Sequence, residues 1–136
     1  MKPGMEIGRK ATIEAEVTDQ MVAQFEGKVI HPVYSTVSMV YHMEWASRQI
    51  ILPFLEEHEE GMGASVSVKH LAPSAVGTKI RVTAELTKIK GNLIYTDVEV
   101  FNEKGMIGKG EVVQAILPKE EIKRNIERSK LTTEKM

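Results

Sequence analysis

Between Ala11 and Val17, apolar Ile13, Ala15 and Val17 alternate with polar Thr12, Glu14 and Glu16, the period of a half-buried strand. Asp19 then stands where an N-cap belongs, ahead of one short helical turn over Gln20 to Phe25 that Gly27 ends. Pro32 biases His31 towards extended backbone, so HPVYST is expected to form an irregular lead-in. From Val37 to Leu55 the period changes. Val40, Met43, Ser47, Ile50, Ile51 and Phe54 recur at helical spacing, with further apolar residues on nearly all sides. Such a pattern predicts one long helix that is buried rather than merely amphipathic. Ser35 or Thr36 lies at its N-cap position. Pro53 should kink its last turns, and the charged run Glu56 to Glu60 with Gly61 closes it.

The remainder reads mostly as strand. Met62 to Leu71 carries Ala64, Val66, Val68 and His70 on one face, and Lys79 to Ile89 alternates with Ile80, Val82, Ala84 and Leu86 inward. Gly91-Asn92 predicts a tight hairpin into a strand over Leu93 to Phe101. A second turn over Asn102 to Gly105 leads to a last strand, Met106 to Leu117, where Gly108 and Gly110 signal a bulge or a close backbone approach. After Pro118, Lys119 to Lys130 reads as a terminal helix and the final residues as a fraying tail. A strand, one long helix and four strands joined largely by short turns fit an α+β arrangement, in which a curved antiparallel sheet wraps one central helix. A lone sheet holding one helix leaves an edge open, so pairing with a second copy is expected.

Composition narrows the picture. The 136 residues suit a single domain over 1–136, with 42% hydrophobic and 27% charged residues to build a core without a staple. The absence of cysteine excludes a disulfide framework, a thiolate zinc site and a cysteine nucleophile, and is compatible with a reducing cytoplasm. A net charge of −1 leaves no nucleic-acid footprint. No apolar h-region follows the first basic residues, and His42, Glu44, Arg48 and Pro53 interrupt the most apolar stretch, so neither a signal peptide nor a membrane span is expected. A cytoplasmic protein with a small ligand is the expectation. His31 and His42 lack metal-ligand spacing, and no metal or cofactor is implied.

Two polar residues stand where burial should exclude them. Glu44 sits between Met43 and Trp45 in the most apolar part of the helix, and His70 shares a strand face with Val66 and Val68. A buried carboxylate is costly unless paired, and an imidazole is a partner that also titrates near neutrality. Thr36, two turns before Glu44, lies where helix N–H groups and the positive dipole end point outwards. Each has a plain structural alternative: a core histidine, a glutamate reaching solvent along one stripe, a capping threonine, and in Gly63 a turn or strand-start glycine.

Taken together, HPVYSTVSMVYHMEWAS and GMGASVSVKHLAPSAVGTKIRVTAEL resemble the fluoroacetyl-CoA thioesterase family of the hotdog superfamily, over roughly Val29 to Leu117. The resemblance implies a hotdog fold, hydrolysis of a small acyl-CoA, and an active site of Thr36, Glu44 and His70. Thr36 would attack or orient the thioester. Glu44 would orient His70 or attack the carbonyl, and His70 would act as general acid or base. Gly63 matches a glycine whose backbone contacts the ligand. The segment before the helix, with Phe25 and Tyr34, does not reproduce an aromatic lid, which leaves the acyl group open. An acyl-CoA-sensing module without turnover is the alternative from another class, and a dehydratase or carrier-protein thioesterase is a third. A homodimer, or a higher oligomer, with a site shared between protomers completes the expectation.

Overall fold

The computed structural model describes residues 1–131. Strand β1 (Lys10–Glu16) is followed by a 3₁₀ turn (Asp19–Met21) and a hairpin of β2 (Val22–Phe25) and β3 (Lys28–Tyr34). Helix α1 (Thr36–Ile51), a 3₁₀ turn (Leu52–Phe54), strands β4 (Glu59–His70), β5 (Lys79–Lys90), β6 (Leu93–Asn102) and β7 (Gly105–Pro118), and helix α2 (Lys119–Ser129) complete the order. The five longer-range strands form one antiparallel sheet in the order β1-β5-β6-β7-β4. The alternation along β5 is realised, with Ile80, Val82, Ala84 and Leu86 buried against the helix.

The hairpin is a departure from the expected helical turn and irregular lead-in. Glu26 and Gly27 both take positive φ, 54° and 78°, the conformation of a two-residue turn that matches strand twist. It closes the Phe25–Lys28 pair. Pro32 is tolerated because the ladder skips it: the pairs run from Ala23–His31 to Val22–Tyr34 with a register shift between them. Asp19 lies inside the 3₁₀ turn, not at its cap, which is Thr18.

Helix α1 begins at the expected cap, where Ser35 Oγ accepts from the Ser38 N–H at 3.0 Å. It ends at Ile51, and Pro53 falls in the following 3₁₀ turn, where its missing N–H costs no helical bond. The helix is not buried on all sides. Met39, His42, Met43, Ala46, Ser47, Ile50 and Ile51 face the sheet, whereas Val37, Tyr41 and Trp45 are exposed. The sheet covers one side only, because β4 is its last strand.

Close approach explains two glycines. A Cβ on Gly108 would collide with the Met39 thioether, and one on Gly110 would overlap the Ser67 carbonyl and come within 2.9 Å of Met43 Cε. The expected bulge is present as well: the β6–β7 ladder passes from Val100–Gly108 to Phe101–Met106 and leaves Ile107 unpaired beside Gly108, while β4 has a bulge of its own between Gly63 and Ser65. A buried polar network ties helix to sheet: Ser47 Oγ bonds the Met43 carbonyl (2.9 Å) and Thr96 Oγ1 (2.8 Å), while Gln114 Nε2 donates to the Ser47 carbonyl (3.0 Å). Its members satisfy one another, as buried polar groups must. Among the described residues no helix is long and apolar enough to cross a membrane. The expected fraying tail falls on residues 132–136, outside those described.

Candidate active site

Two distant segments are pinned together at the start of α1. The end of β3 is held by the Tyr34 N–H donating to the Ser74 carbonyl (2.8 Å), and β4 is continued by the Leu71 N–H donating to the Ile107 carbonyl (2.7 Å). The loop from Leu71 to Thr78 therefore brings the last residue of β4 beside the first residue of α1. There Thr36 Oγ1 and His70 Nδ1 lie 2.8 Å apart in a hydrogen bond. Thr36 is exposed and His70 half-buried. The other ring nitrogen of His70, Nε2, is buried without a hydrogen-bond partner among the described residues.

Glu44 departs from expectation. Its side chain is exposed, and no hydrogen bond joins it to His70. Eight residues of α1 put its Cα about 12 Å along the axis from Thr36. Position 44 shares the uncovered side of α1 with Tyr41 and Trp45, beyond the edge strand. Its neighbour is Gly63 of β4, where a Cβ would lie 3.2 Å from Glu44 Oε1. Thr36 and His70 thus form one contact and Glu44 and Gly63 another, both between α1 and the outermost strand. The inner face of β4 does carry Val66, Val68 and His70, paired with Val112, Gly110 and Gly108 of β7.

Beneath this edge lies a pair that sequence reasoning missed. Tyr34 is fully buried and His42 is 3% exposed, with the phenol oxygen 2.6 Å from His42 Nδ1. Burial pushes the His42 imidazole below its ordinary range, opposed by the Ser38 carbonyl, and pushes the Tyr34 phenol up. His42 stands on the helix stripe of Met39, Met43 and Ala46, so its burial was readable from spacing, but its partner was not. Among the described residues no cluster of three or more His, Cys, Asp or Glu side chains could hold a metal ion.

A hydroxyl bonded to an imidazole is the elementary unit of base-assisted attack. Ahead of the Ser38 N–H that Ser35 caps, the Thr36 and Val37 N–H groups have no helical acceptor, and donors of this kind can stabilise an oxyanion. An antiparallel sheet wrapped around one helix, with this pair at the helix start, defines the hotdog class of thioesterase-like proteins. The model of the fluoroacetyl-CoA-specific thioesterase family matches residues 17–120. The chain belongs to that family. It is similar to the fluoroacetyl-CoA thioesterase of Streptantibioticus cattleyicolor, at 29% identity over 86% of this chain and 88% of the relative. A thioesterase superfamily member from Thermus thermophilus is 45% identical, with a TM-score of 0.89 over 93% of both chains. A mutant of the fluoroacetyl-CoA-specific thioesterase in complex with fluoroacetate and CoA is 27% identical, with a TM-score of 0.80 over 86% of this chain and 98% of that one.

Proposed function

We propose that the protein hydrolyses the thioester of a small acyl-CoA to the free acid and CoA, with Thr36, Glu44 and His70 as the working residues. The observation that carries this reading is the 2.8 Å bond between Thr36 Oγ1 and His70 Nδ1 at the start of α1. An oxygen nucleophile attacks the thioester carbonyl, the carbonyl oxygen takes the negative charge, and the C–S bond breaks as the CoA sulfur leaves. Free N–H groups at the first turn of α1 stabilise the oxyanion. His70 accepts the proton of the attacking hydroxyl and returns it to the leaving sulfur; where that hydroxyl belongs to Thr36, a water deprotonated by His70 then cleaves the acyl ester, releasing the acid and restoring the threonine. Glu44, unpaired with His70 in the single chain, is free to orient water or to attack. The backbone of Gly63 borders it, and a side chain there would press on the carboxylate.

The site is completed by a second copy in this reading. Strand β4 is twelve residues long, is the last strand of the sheet and carries exposed Met62 and Val66. The opposite edge, β1, is seven residues long and carries Lys10, Glu14 and Glu16, the charged, short form that discourages pairing. Beside β4 lie exposed Val37 and Tyr41 (76% and 64%) and Trp45, an apolar strip that marks an interface. A partner on this side encloses Glu44. A depression of about 510 Å³ on the opposite, outer face of the sheet, which includes Lys69, Glu85, Asp97, Glu99 and Lys109, contains none of the three working residues.

The deciding experiment incubates the protein with short and medium acyl-CoAs and a thiol reagent. Wild type releases CoA. His70→Ala and Thr36→Val lower kcat/KM by about a hundred-fold or more, the range of a positioned base. Binding of acyl-CoA with no release by wild type would establish the sensing module in place of the enzyme.

A further inference from the structure

We infer that Tyr34 and His42 form a positioning pair for His70, setting the angle of its imidazole for the reaction. The inference rests on the reading of His70 as the general base. Tyr34 is the residue before the N-cap of α1, and His42 lies eight residues on, the same separation as Thr36 and Glu44. The pair therefore runs alongside the proposed working residues, one layer deeper.

Three observations support it. His70 makes a single side-chain hydrogen bond, through Nδ1, and its Nε2 is buried without one among the described residues. One bond leaves rotation of the ring to packing. Its strand partner is Gly108, which offers no side chain to pack against it. The Tyr34 ring meets the His70 ring edge-on, with centroids 6.4 Å apart and planes at 74°, within the range of aromatic pairs that hold a preferred geometry.

Tyr34 is itself fixed at both ends. Its backbone N–H donates to the Ser74 carbonyl (2.8 Å), and its phenol oxygen sits 2.6 Å from His42 Nδ1 and 3.4 Å from the Ser38 carbonyl. The rings of Tyr34 and His42 stack at 5.8 Å and 26°. Either tautomer of His42 keeps the bond: the phenol donates to Nδ1, or Nδ1–H donates to the phenol oxygen, which then donates to Ser38. An apolar side chain would fill the helix position of His42 without the desolvation that a buried imidazole suffers. What the polar pair adds is orientation, because a satisfied buried network restricts its members to one arrangement.

The test compares wild type with Tyr34→Phe and His42→Leu, both chosen to keep the core filled. In Tyr34→Phe, which keeps the ring and loses its bond to His42, kcat falls about ten-fold with KM unchanged within two-fold, since a hydrogen-bond constraint of this kind is worth roughly one decade of rate. The NMR shifts of the His70 ring nitrogens, which report its hydrogen bond to Thr36, move with it. His42→Leu changes both readouts in the same direction. A kcat that falls in either variant while the His70 ring-nitrogen shifts stay at their wild-type values would show a merely structural role and overturn the inference. So would a kcat unchanged within two-fold in Tyr34→Phe. Wild-type activity in His70→Ala would instead remove the reading on which the pair depends, whatever the two variants do.

Discussion

A buried imidazole carries its own pH dependence, and His42 has it because the helix places it at 3% exposure. Desolvation disfavours its charged form, so its folded pKa lies below the ordinary value of about 6.5. Between those two values the unfolded chain binds more protons than the folded one. Stability from neutral His42 is therefore complete above about pH 6.5, where both states are unprotonated, and declines as pH falls towards the folded pKa. Urea midpoints measured from pH 8 to pH 5 should fall on acidification in wild type and fall less in His42→Leu. Glu60 acts in a separate, lower window. Its hydrogen bond from Arg48, at 2.8 Å, holds the carboxyl below its usual range, so its contribution is lost only as pH drops below the unfolded carboxylate value. At this scale the sequence exposed Thr36 and His70 as candidates through their context. It could not assign Glu44 to solvent or Tyr34 to His42, since both depend on which surfaces the fold covers.

Elements are held apart or together by single methyl groups. Gly108 and Gly110 both lie on β7 under α1, yet the obstacles they meet differ. At Gly108 the obstacle is the end of the Met39 side chain, which can move; at Gly110 it is the Ser67 backbone carbonyl, which cannot move without shifting β4. Gly110→Ala is therefore expected to destabilise by several times as much as Gly108→Ala, about 3 kcal/mol or more against about 1. Denaturant unfolding of the two variants checks the order, and equal losses would contradict the backbone contact. The glycines were legible as a bulge or a close approach, and the structure shows both: a bulge at Ile107 beside Gly108, and close approaches at Gly108 and Gly110. The β2–β3 hairpin was not legible, because its turn is made by Glu26, a residue that seldom takes positive φ. No Asn-Gly or Asp-Gly signal announced it.

For the molecule as a whole, the decisive feature is an asymmetric sheet with one short charged edge, β1, and one long edge, β4, whose middle from Gly61 to Val68 carries no charge. The β4 edge lies beside an exposed strip of the helix that carries Tyr41 and Trp45, and next to both halves of the proposed site. Light scattering is expected to give twice the 15.2 kDa chain mass. Trp45→Glu should shift the population to monomer and lower kcat/KM together with it. A monomeric wild type with full activity would separate the site from the interface.

From the sequence alone came the alternation of the strands, the single long helix, its Ser35 cap and the candidacy of Thr36, Glu44 and His70. Those signals are local: they depend on periods of two and 3.6 residues and on short motifs. Only the tertiary structure decided that Thr36 and His70, 34 residues apart, share a hydrogen bond, that Glu44 stands outside it, and that Tyr34 bonds to His42. Exposure of one side chain depends on where the sheet ends, and contact between distant residues depends on how loops close. Neither leaves a trace in the spacing of neighbouring residues.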